Sequence, residues 1–407
     1  MNRRKFLQQL GLAAGATIIP IGWNGWAART LAQSSNPKRL IVIFLRGGVD
    51  GLNLVVPYQE PNYYEARPTL ALAAPSQKDG VLDLDGQFGL HPNLKALMPL
   101  WKKGELAFIH ACGSPSNSRS HFEAQDNMEA GIPEQRRAAN DGWMNRLLGA
   151  LPQGTPVQAV SVSSRIPLIL SGALPATNIS AGKAATRPLP LDQPHVNQAF
   201  DQLYQGHGKL SQAYEEGQAA REIIVAELEA EREQANRGAA SPSQLARDAR
   251  NLARLMKGDS KTQLAFLEVG KWDTHVAQAG QLKRLFNPLA TGIMSLVKEL
   301  GPIYQDTAII VMSEFGRTVK ENGNRGTDHG HGNVLWVLGG GVNGGKVQGQ
   351  WPGLEQSQRY EGRDLAITTD FRDAISSVLQ PHLQLNSSQL AQVFPQYSVN
   401  TSLNLMR

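Results

Sequence analysis

Short, continuous apolar runs that alternate with helical patterns constrain the fold of this 407-residue chain more than any other feature. The runs are rich in β-branched residues and show no polar alternation, which is typical of parallel strands covered on both faces. The predicted strands are residues 40–45, 106–110, 157–163, 264–269, 307–313 and 334–338. Helical patterns lie between them at 93–103, 121–130, 143–151 and 278–300. This order predicts an α/β fold with a doubly wound, mostly parallel sheet.

One long insertion interrupts the alternation at about residues 209–257. A charged helical pattern at 209–236 and a second at 243–257 are separated by RGAASPS, residues 237–243. We therefore predict an inserted antiparallel helical hairpin, whose role is open between a surface-packed cap, a lid and a dimer contact. Residues 165–194 are rich in Pro, Ser and Ala and predict a long irregular loop near the site.

The first 32 residues have the three parts of a secretion signal. Arg3 and Arg4 form a paired-arginine head, a moderately apolar stretch follows at 10–21, and small residues near Ala32 offer a cleavage site. The adjacent arginines predict contact with the twin-arginine translocation machinery and a periplasmic or extracellular location. An uncleaved anchor is the alternative, but the apolar stretch is shorter than the about 20 residues of a membrane span. Residues 33–407 are predicted to form one domain with no stable transmembrane anchor.

The leader also accounts for most of the chain's basic charge. The formal net charge is +5, and removing Arg3, Arg4, Lys5 and Arg29 leaves +1. So small a charge does not predict a nucleic-acid partner. Cys112 is the only cysteine, so the chain cannot form an internal disulfide. A protein that folds before export does not need one, and it can leave the cell already loaded with a cofactor.

Ligands of open α/β sheets bind beyond the carboxyl ends of the strands, so the segments beside those ends supply the site candidates. Four such segments carry Asp, Glu or His: RGGVDGLN, GKWDTH, EFGRT, and TDHGHGN before the last strand. Each residue alone has a structural explanation as a turn or cap residue. Together they favour hard and borderline metals, and predict one or two divalent ions. The predicted ligands are Asp50, Asp273, His275, Glu314, His329 and His331.

Candidates for catalytic groups lie beside these ligands. Ser120 precedes the predicted helix at 121–130, where the helix dipole and free backbone N–H groups favour a phosphoryl or sulfuryl ester. It is a candidate nucleophile, with an ordinary N-cap as the alternative role. Arg317 or Arg46 is a candidate for neutralising charge on the transferred group. Residues 339–345 fit GxGxxG spacing, but no helix start follows, so they predict a tight turn.

The motifs as a set resemble an exported bacterial family, domain of unknown function 1501. They are the leader, LRGGVDGLNLVVPY, LHPNL, SHFEAQDNME, KWDTH, MSEFGRT and NGNRGTDHGHGN, and they span essentially the whole chain. That family is similar to the alkaline phosphatase and sulfatase superfamily, whose Asp and His clusters hold two divalent metals. The positions that match its ligands are Asp50, Asp273, His275, and His329 or His331. Ser313 and Glu314 stand where the superfamily commonly has Asp and His, and Phe315 replaces a ligand.

The resemblance implies an alkaline-phosphatase-like fold and a metal-dependent hydrolase or transferase of phosphate or sulfate esters outside the cytoplasm. It implies a small-molecule ester substrate and a divalent ion such as zinc, calcium, magnesium or manganese. The alternative is a non-catalytic exported binding or assembly protein on the same fold. The enzyme hypothesis requires the predicted ligands to converge within about 4–5 Å of one another.

Overall fold

The computed structural model describes residues 37–132, 141–152, 157–163, 166–179, 198, 244–258 and 262–407. The predicted leader, and the first helix and turn of the predicted hairpin, lie outside the described residues. The second helix of that hairpin is observed at Gln244–Gly258. Among the described residues, no helix is both long and apolar enough to cross a membrane.

The described residues form twelve strands and nine α-helices. The strands are β1 (Arg39–Leu45), β2 (Val55–Val56), β3 (Leu82–Asp83), β4 (Gly89–Leu90), β5 (Leu106–Gly113), β6 (Ala159–Val162), β7 (Thr177–Ile179), β8 (Leu264–Val269), β9 (Thr307–Met312), β10 (Asn333–Gly339), β11 (Val347–Gln348) and β12 (Thr369–Asp370). The helices are α1 (Gly51–Leu54), α2 (Pro61–Ala66), α3 (Met98–Lys102), α4 (His121–Ala130), α5 (Trp143–Ala150), α6 (Gln244–Gly258), α7 (Gln278–Leu300), α8 (Phe371–Leu383) and α9 (Ser387–Val393).

The large sheet has the strand order β11-β5-β10-β9-β1-β8-β6-β7, with β12 also paired to β5. Strand β1 lies between β8 and β9 and is parallel to both, which confirms the predicted mostly parallel sheet. Strand β10 is antiparallel to its neighbours β5 and β9. The start of β10 therefore lies at the same edge as the carboxyl ends of the parallel strands, and the TDHGHGN segment is delivered to that edge.

The side chains of β1 alternate between two cores on opposite faces of the sheet. Ile41 and Ile43 pack with residues of α6 and α7, whereas Val42 and Phe44 pack with residues of α5 and α8. All four side chains are buried. Helices thus cover both faces, which explains why the strand is continuously apolar and confirms the predicted doubly wound arrangement.

Most predicted elements are found within a few residues of their predicted bounds. Helix α4 begins at His121 and ends at Ala130, where the left-handed backbone of Gly131 (φ 65°) caps the helix. Strand β10 ends at Gly339, and residues 340–345 follow it without forming a helix, as predicted for a turn. One difference is β5, which continues three residues past its predicted end, to Gly113. The predicted helix at 93–103 begins as a 3-10 helix at Pro92–Leu97 and continues as α3.

Candidate metal centre

Three histidines and one aspartate converge at the carboxyl edge of the sheet. Asp273 and His275 follow β8, His329 precedes β10, and His121 is the first residue of α4. The Nε2 atoms of His275, His329 and His121 lie 2.8, 3.3 and 3.5 Å from Asp273 Oδ1. His275 Nε2 and His329 Nε2 are 3.1 Å apart. Three predicted ligands are therefore brought together, and His121, which the sequence did not single out, joins them.

Each of the three rings is held in place through its other nitrogen. The pairs are His121 Nδ1 with Glu314 Oε1 (2.8 Å), His275 Nδ1 with Asp328 Oδ1 (3.2 Å), and His329 Nδ1 with the backbone oxygen of Arg119 (2.8 Å). In each case Nε2 is left to face Asp273. Proteins fix the tautomer and direction of metal-binding imidazoles by this kind of outer contact.

Glu314 is part of this outer shell rather than a direct member of the cluster. Its Oε1 accepts hydrogen bonds from Gly47 N (2.8 Å) and Gln125 Nε2 (2.9 Å) in addition to its contact with His121. Burial alone would raise the pKa of Glu314, but its hydrogen bonds with His121 and Gln125 lower it. The hydrogen bond to Glu314 is the main cause that raises the pKa of His121. Glu314, a predicted ligand, thus lies behind His121 and orients it.

Arg317 joins the loops that carry the cluster. Its buried guanidinium donates to the backbone oxygens of Gly47, Gly48, Trp272 and Thr327, and to Asp273 Oδ1 at 2.7 Å. Burial tends to raise the pKa of Asp273, but the hydrogen bond and charge of Arg317 lower it to about 2. These contacts favour a role for Arg317 in positioning Asp273. Its predicted contact with a transferred group stays a prediction.

Gly47 and Gly48, which follow β1, let the loops of the cluster pack closely against the backbone. Gly48 has φ +65°, and a Cβ there would lie 2.4 Å from the Phe315 ring. That ring packs against His121 and His329, with centroid distances of 4.9 and 5.0 Å. Phe315, at the position where the superfamily has a ligand, therefore supports the two histidine rings by packing against them.

Asp50 and His331, like Glu314, do not join the cluster, so only three of the six predicted ligands converge. Asp50 is fully buried and accepts two hydrogen bonds from Arg67, at 2.6 and 3.1 Å. The His331 ring stacks on Tyr360 at 4.1 Å, and burial lowers its pKa to about 4. The sequence could not reveal either outcome, because each depends on a partner brought in by the fold.

The remaining catalytic candidates have different surroundings. Ser120 is exposed at the N-cap of α4, directly before His121, and its side chain makes no capping hydrogen bond. Arg46 is bound by Glu268 (2.6 Å), Glu129 (2.8 Å) and Gln125 (2.8 Å). The guanidinium of Arg46 is therefore occupied by protein acceptors. His121 also lies in a segment that follows a strand, β5, so the same strand-end rule includes it among the candidates.

The donor set fits a divalent ion of the zinc type. Ligand bonds of about 2.0–2.1 Å in a tetrahedron separate the ligand atoms by about 3.3 Å. The three distances among Asp273 Oδ1, His275 Nε2 and His329 Nε2 are 2.8, 3.1 and 3.3 Å. Two histidines and one carboxylate are a common set of ligands in catalytic zinc sites. His121 Nε2 is buried beside them and has no hydrogen-bond partner within the part of the chain that the structure describes.

Several solved structures are similar to the chain. A protein in the alkaline phosphatase superfamily from Vibrio parahaemolyticus is 14% identical with a TM-score of 0.38; the match covers 77% of this chain and only 63% of that protein. The zinc complex of the C-terminal periplasmic domain of EcEptC from Escherichia coli is 10% identical over 92% of this chain and 93% of that one, with a TM-score of 0.41. The soluble domain of lipooligosaccharide phosphoethanolamine transferase A from Neisseria meningitidis is 11% identical over 86% of this chain and 90% of that one, with a TM-score of 0.35.

No curated protein matches the chain. A family model described as "Protein of unknown function (DUF1501)" matches residues 37–377, which is most of the chain and includes every residue of the cluster. The chain therefore belongs to the DUF1501 family.

Proposed function

We propose that this protein is an exported, metal-dependent hydrolase or transferase that acts on phosphate or sulfate esters. The observation that carries the proposal is the cluster of Asp273, His275 and His329, whose ring directions are fixed by outer contacts. Such prior orientation is the arrangement expected where a metal ion binds. The resemblance of the motifs to the alkaline phosphatase and sulfatase superfamily supports the choice of ester.

Different residues of the chain would bind the ion and the ester. Asp273, His275 and His329 would hold the ion. His121, which could also bind a metal together with Asp273 and His329, has its Nε2 3.5 Å from Asp273 Oδ1. A bound divalent ion supplies a Lewis acid that polarises the ester oxygen. The N-terminus of α4 adds backbone N–H groups and a positive dipole end, which favour an anionic ester. Ser120, exposed at this terminus, stays the candidate nucleophile.

Zinc is the ion that the donor set matches best. Calcium and magnesium prefer sites made of oxygen ligands, whereas imidazole nitrogens suit zinc and its transition-metal neighbours. The twin-arginine leader supports export, and folding before export would let the site acquire its ion inside the cell.

The test is made on protein recovered from the compartment to which it is exported, with no metal added. We expect bound zinc by elemental analysis and turnover of at least one of p-nitrophenyl phosphate, bis(p-nitrophenyl) phosphate and p-nitrophenyl sulfate. His329→Ala should lose both properties. His331→Ala is the matched control, because it removes a histidine of the same loop that stacks on Tyr360 outside the cluster. The proposal fails if His329→Ala keeps both the zinc and the turnover of the wild type.

One observation favours the non-catalytic alternative. Both arginines that the sequence predicts as charge-neutralising groups, Arg46 and Arg317, are bound by protein acceptors. An exported protein that carries zinc but turns over none of the three esters would support this alternative.

A further inference from the structure

We propose that the site takes a single divalent ion, because the guanidinium of Arg67 already provides the positive charge that balances Asp50. This inference rests on the proposed function and deepens it. The six ligands predicted from the sequence could hold one or two ions, and a second ion would have to use the predicted carboxylates outside the cluster, Asp50 and Glu314.

Every donor of Arg67 is used in the described structure. Nη1 donates to Asp50 Oδ2 (2.6 Å) and Asn53 Oδ1 (2.8 Å), and Nη2 donates to Asp50 Oδ1 (3.1 Å) and the Thr318 oxygen (2.8 Å). Nε donates to the Val319 oxygen at 2.8 Å. A guanidinium has five N–H donors, so Arg67 is saturated. Both side chains of the pair are fully buried.

The carboxylate of Asp50 is saturated as well. Its Oδ1 accepts from Arg67 and from Leu52 N (3.2 Å), and its Oδ2 accepts from Arg67 and from Gln278 Nε2. A carboxylate has about four acceptor positions, so no lone pair is left for a metal ion. Binding an ion here would require these contacts to break and would place a divalent charge beside a buried guanidinium.

The other carboxylates around the cluster do not replace Asp50. Glu314 already accepts from Gly47 N, Gln125 and His121 on Oε1, and from Ser313 Oγ (3.0 Å) on Oε2. Asp273 contacts the three histidines but shares Oδ1 with Arg317. Asp328 Oδ1 accepts from Asn322 Nδ2 (3.0 Å) and contacts His275 Nδ1 (3.2 Å), on the side of that ring away from Nε2. A second divalent ion would therefore have to share Asp273 with the first rather than have a carboxylate of its own, which is poor compensation for its charge.

The Asp50 pair is linked to the two ligand loops through Gln278. Gln278 Oε1 accepts from Thr274 Oγ1 (2.9 Å) and Thr327 Oγ1 (2.6 Å). Thr274 lies between Asp273 and His275, and Thr327 precedes the segment that carries His329. Asp50 therefore belongs to the hydrogen-bonded interior of the fold and contributes no ligand atom.

The experiment is a zinc titration of the full chain after chelator treatment, with elemental analysis of the saturated protein. We expect one zinc per chain in the wild type. Two zinc ions per chain, with turnover retained, would overturn this inference and leave the proposed function standing. No zinc at all would overturn both.

The zinc content of two variants shows which aspartate binds the ion. Asp273→Asn should lower the zinc content of the saturated protein from one per chain to near zero. Asp50→Asn keeps the size of the side chain, and its folded fraction, isolated by gel filtration, should still bind one zinc per chain. If Asp50→Asn does not fold, the wild-type stoichiometry decides the question alone. Loss of a zinc equivalent from folded Asp50→Asn would contradict the assignment.

Discussion

Asp50 and Asp273 are two aspartates that follow neighbouring strands but come to occupy opposite environments. Strands β1 and β8 pair in parallel as far as Leu45 and Val269, and each aspartate follows its strand within five residues. Asp50 is fully buried and enclosed by hydrogen-bond donors, whereas 46% of the Asp273 side chain is exposed and histidines surround it. Chain position delivers both carboxylates to the same edge, and the tertiary neighbours then decide their roles.

Both aspartates also contact an arginine, and the difference lies in what else surrounds each pair. Arg67 and Asp50 are sealed in the interior together, so their charges cancel and the carboxylate is fully occupied. Arg317 is equally buried, but Asp273 keeps an open side towards the histidine nitrogens. A partly exposed carboxylate of low pKa next to imidazole nitrogens suits cation binding, whereas a saturated buried one suits structure.

The largest effect should come from Asp273→Asn. The substitution keeps an acceptor for Arg317 but removes the negative charge, so the ion should be lost. We expect ester turnover to fall about 1,000-fold, which corresponds to about 4 kcal/mol. Elemental analysis, turnover and thermal unfolding would be measured together. Unchanged turnover with unchanged zinc would show that the cluster does not bind the ion.

Asp50→Ala should lower the stability of the fold, whereas Asp273→Asn should lower zinc binding and turnover. Removing one partner of a buried ion pair leaves Arg67 uncompensated, which costs about 3–5 kcal/mol of folding free energy. Urea unfolding of metal-free protein measures this cost without any contribution from zinc. A loss below about 1 kcal/mol would contradict the view that this pair is a structural element.

Glu314→Gln should have a smaller effect, on affinity rather than folding. Losing an outer contact of a metal-site histidine weakens metal binding or activity by about 10–100-fold. Competition with a chelator would measure the zinc dissociation constant. Glu65→Gln, at an exposed position on α2, is the matched control and should not change it. Equal affinities for both variants would remove Glu314 from the outer shell.

The smallest effect concerns a histidine away from the cluster. His110 is buried and its pKa is lowered to about 4, mainly by burial. Between about pH 6.5 and 4 the unfolded chain binds this proton more readily than the folded chain, so stability falls as the pH falls. The free energy of unfolding of metal-free protein, measured at pH 7 and pH 5, should therefore drop more for the wild type than for His110→Gln. Parallel pH profiles would show that burial does not keep this ring neutral.

Part of the site was predictable because apolar runs in the sequence show where the strands end. Asp273, His275 and His329 were identified from segments beside apolar runs, without any knowledge of strand order. The same rule predicts Asp50 as a ligand, but Asp50 has a different role, because Arg67, directly after α2, and Gln278 of α7 bind it. Periodicity carries no information about which distant cation comes to lie beside a buried carboxylate.

The sequence by itself determined the α/β class, the approximate bounds of the strands longer than three residues and of several helices, and the edge of the sheet at which the reactive side chains gather. These properties follow from local periodicity and from the rule that loops after parallel strands share one edge. Only the tertiary structure decided that β10 is antiparallel, that His121 faces Asp273, and that Glu314 stands behind it. The two side-chain outcomes depend on contacts between segments more than 100 residues apart, whose energies no local pattern encodes.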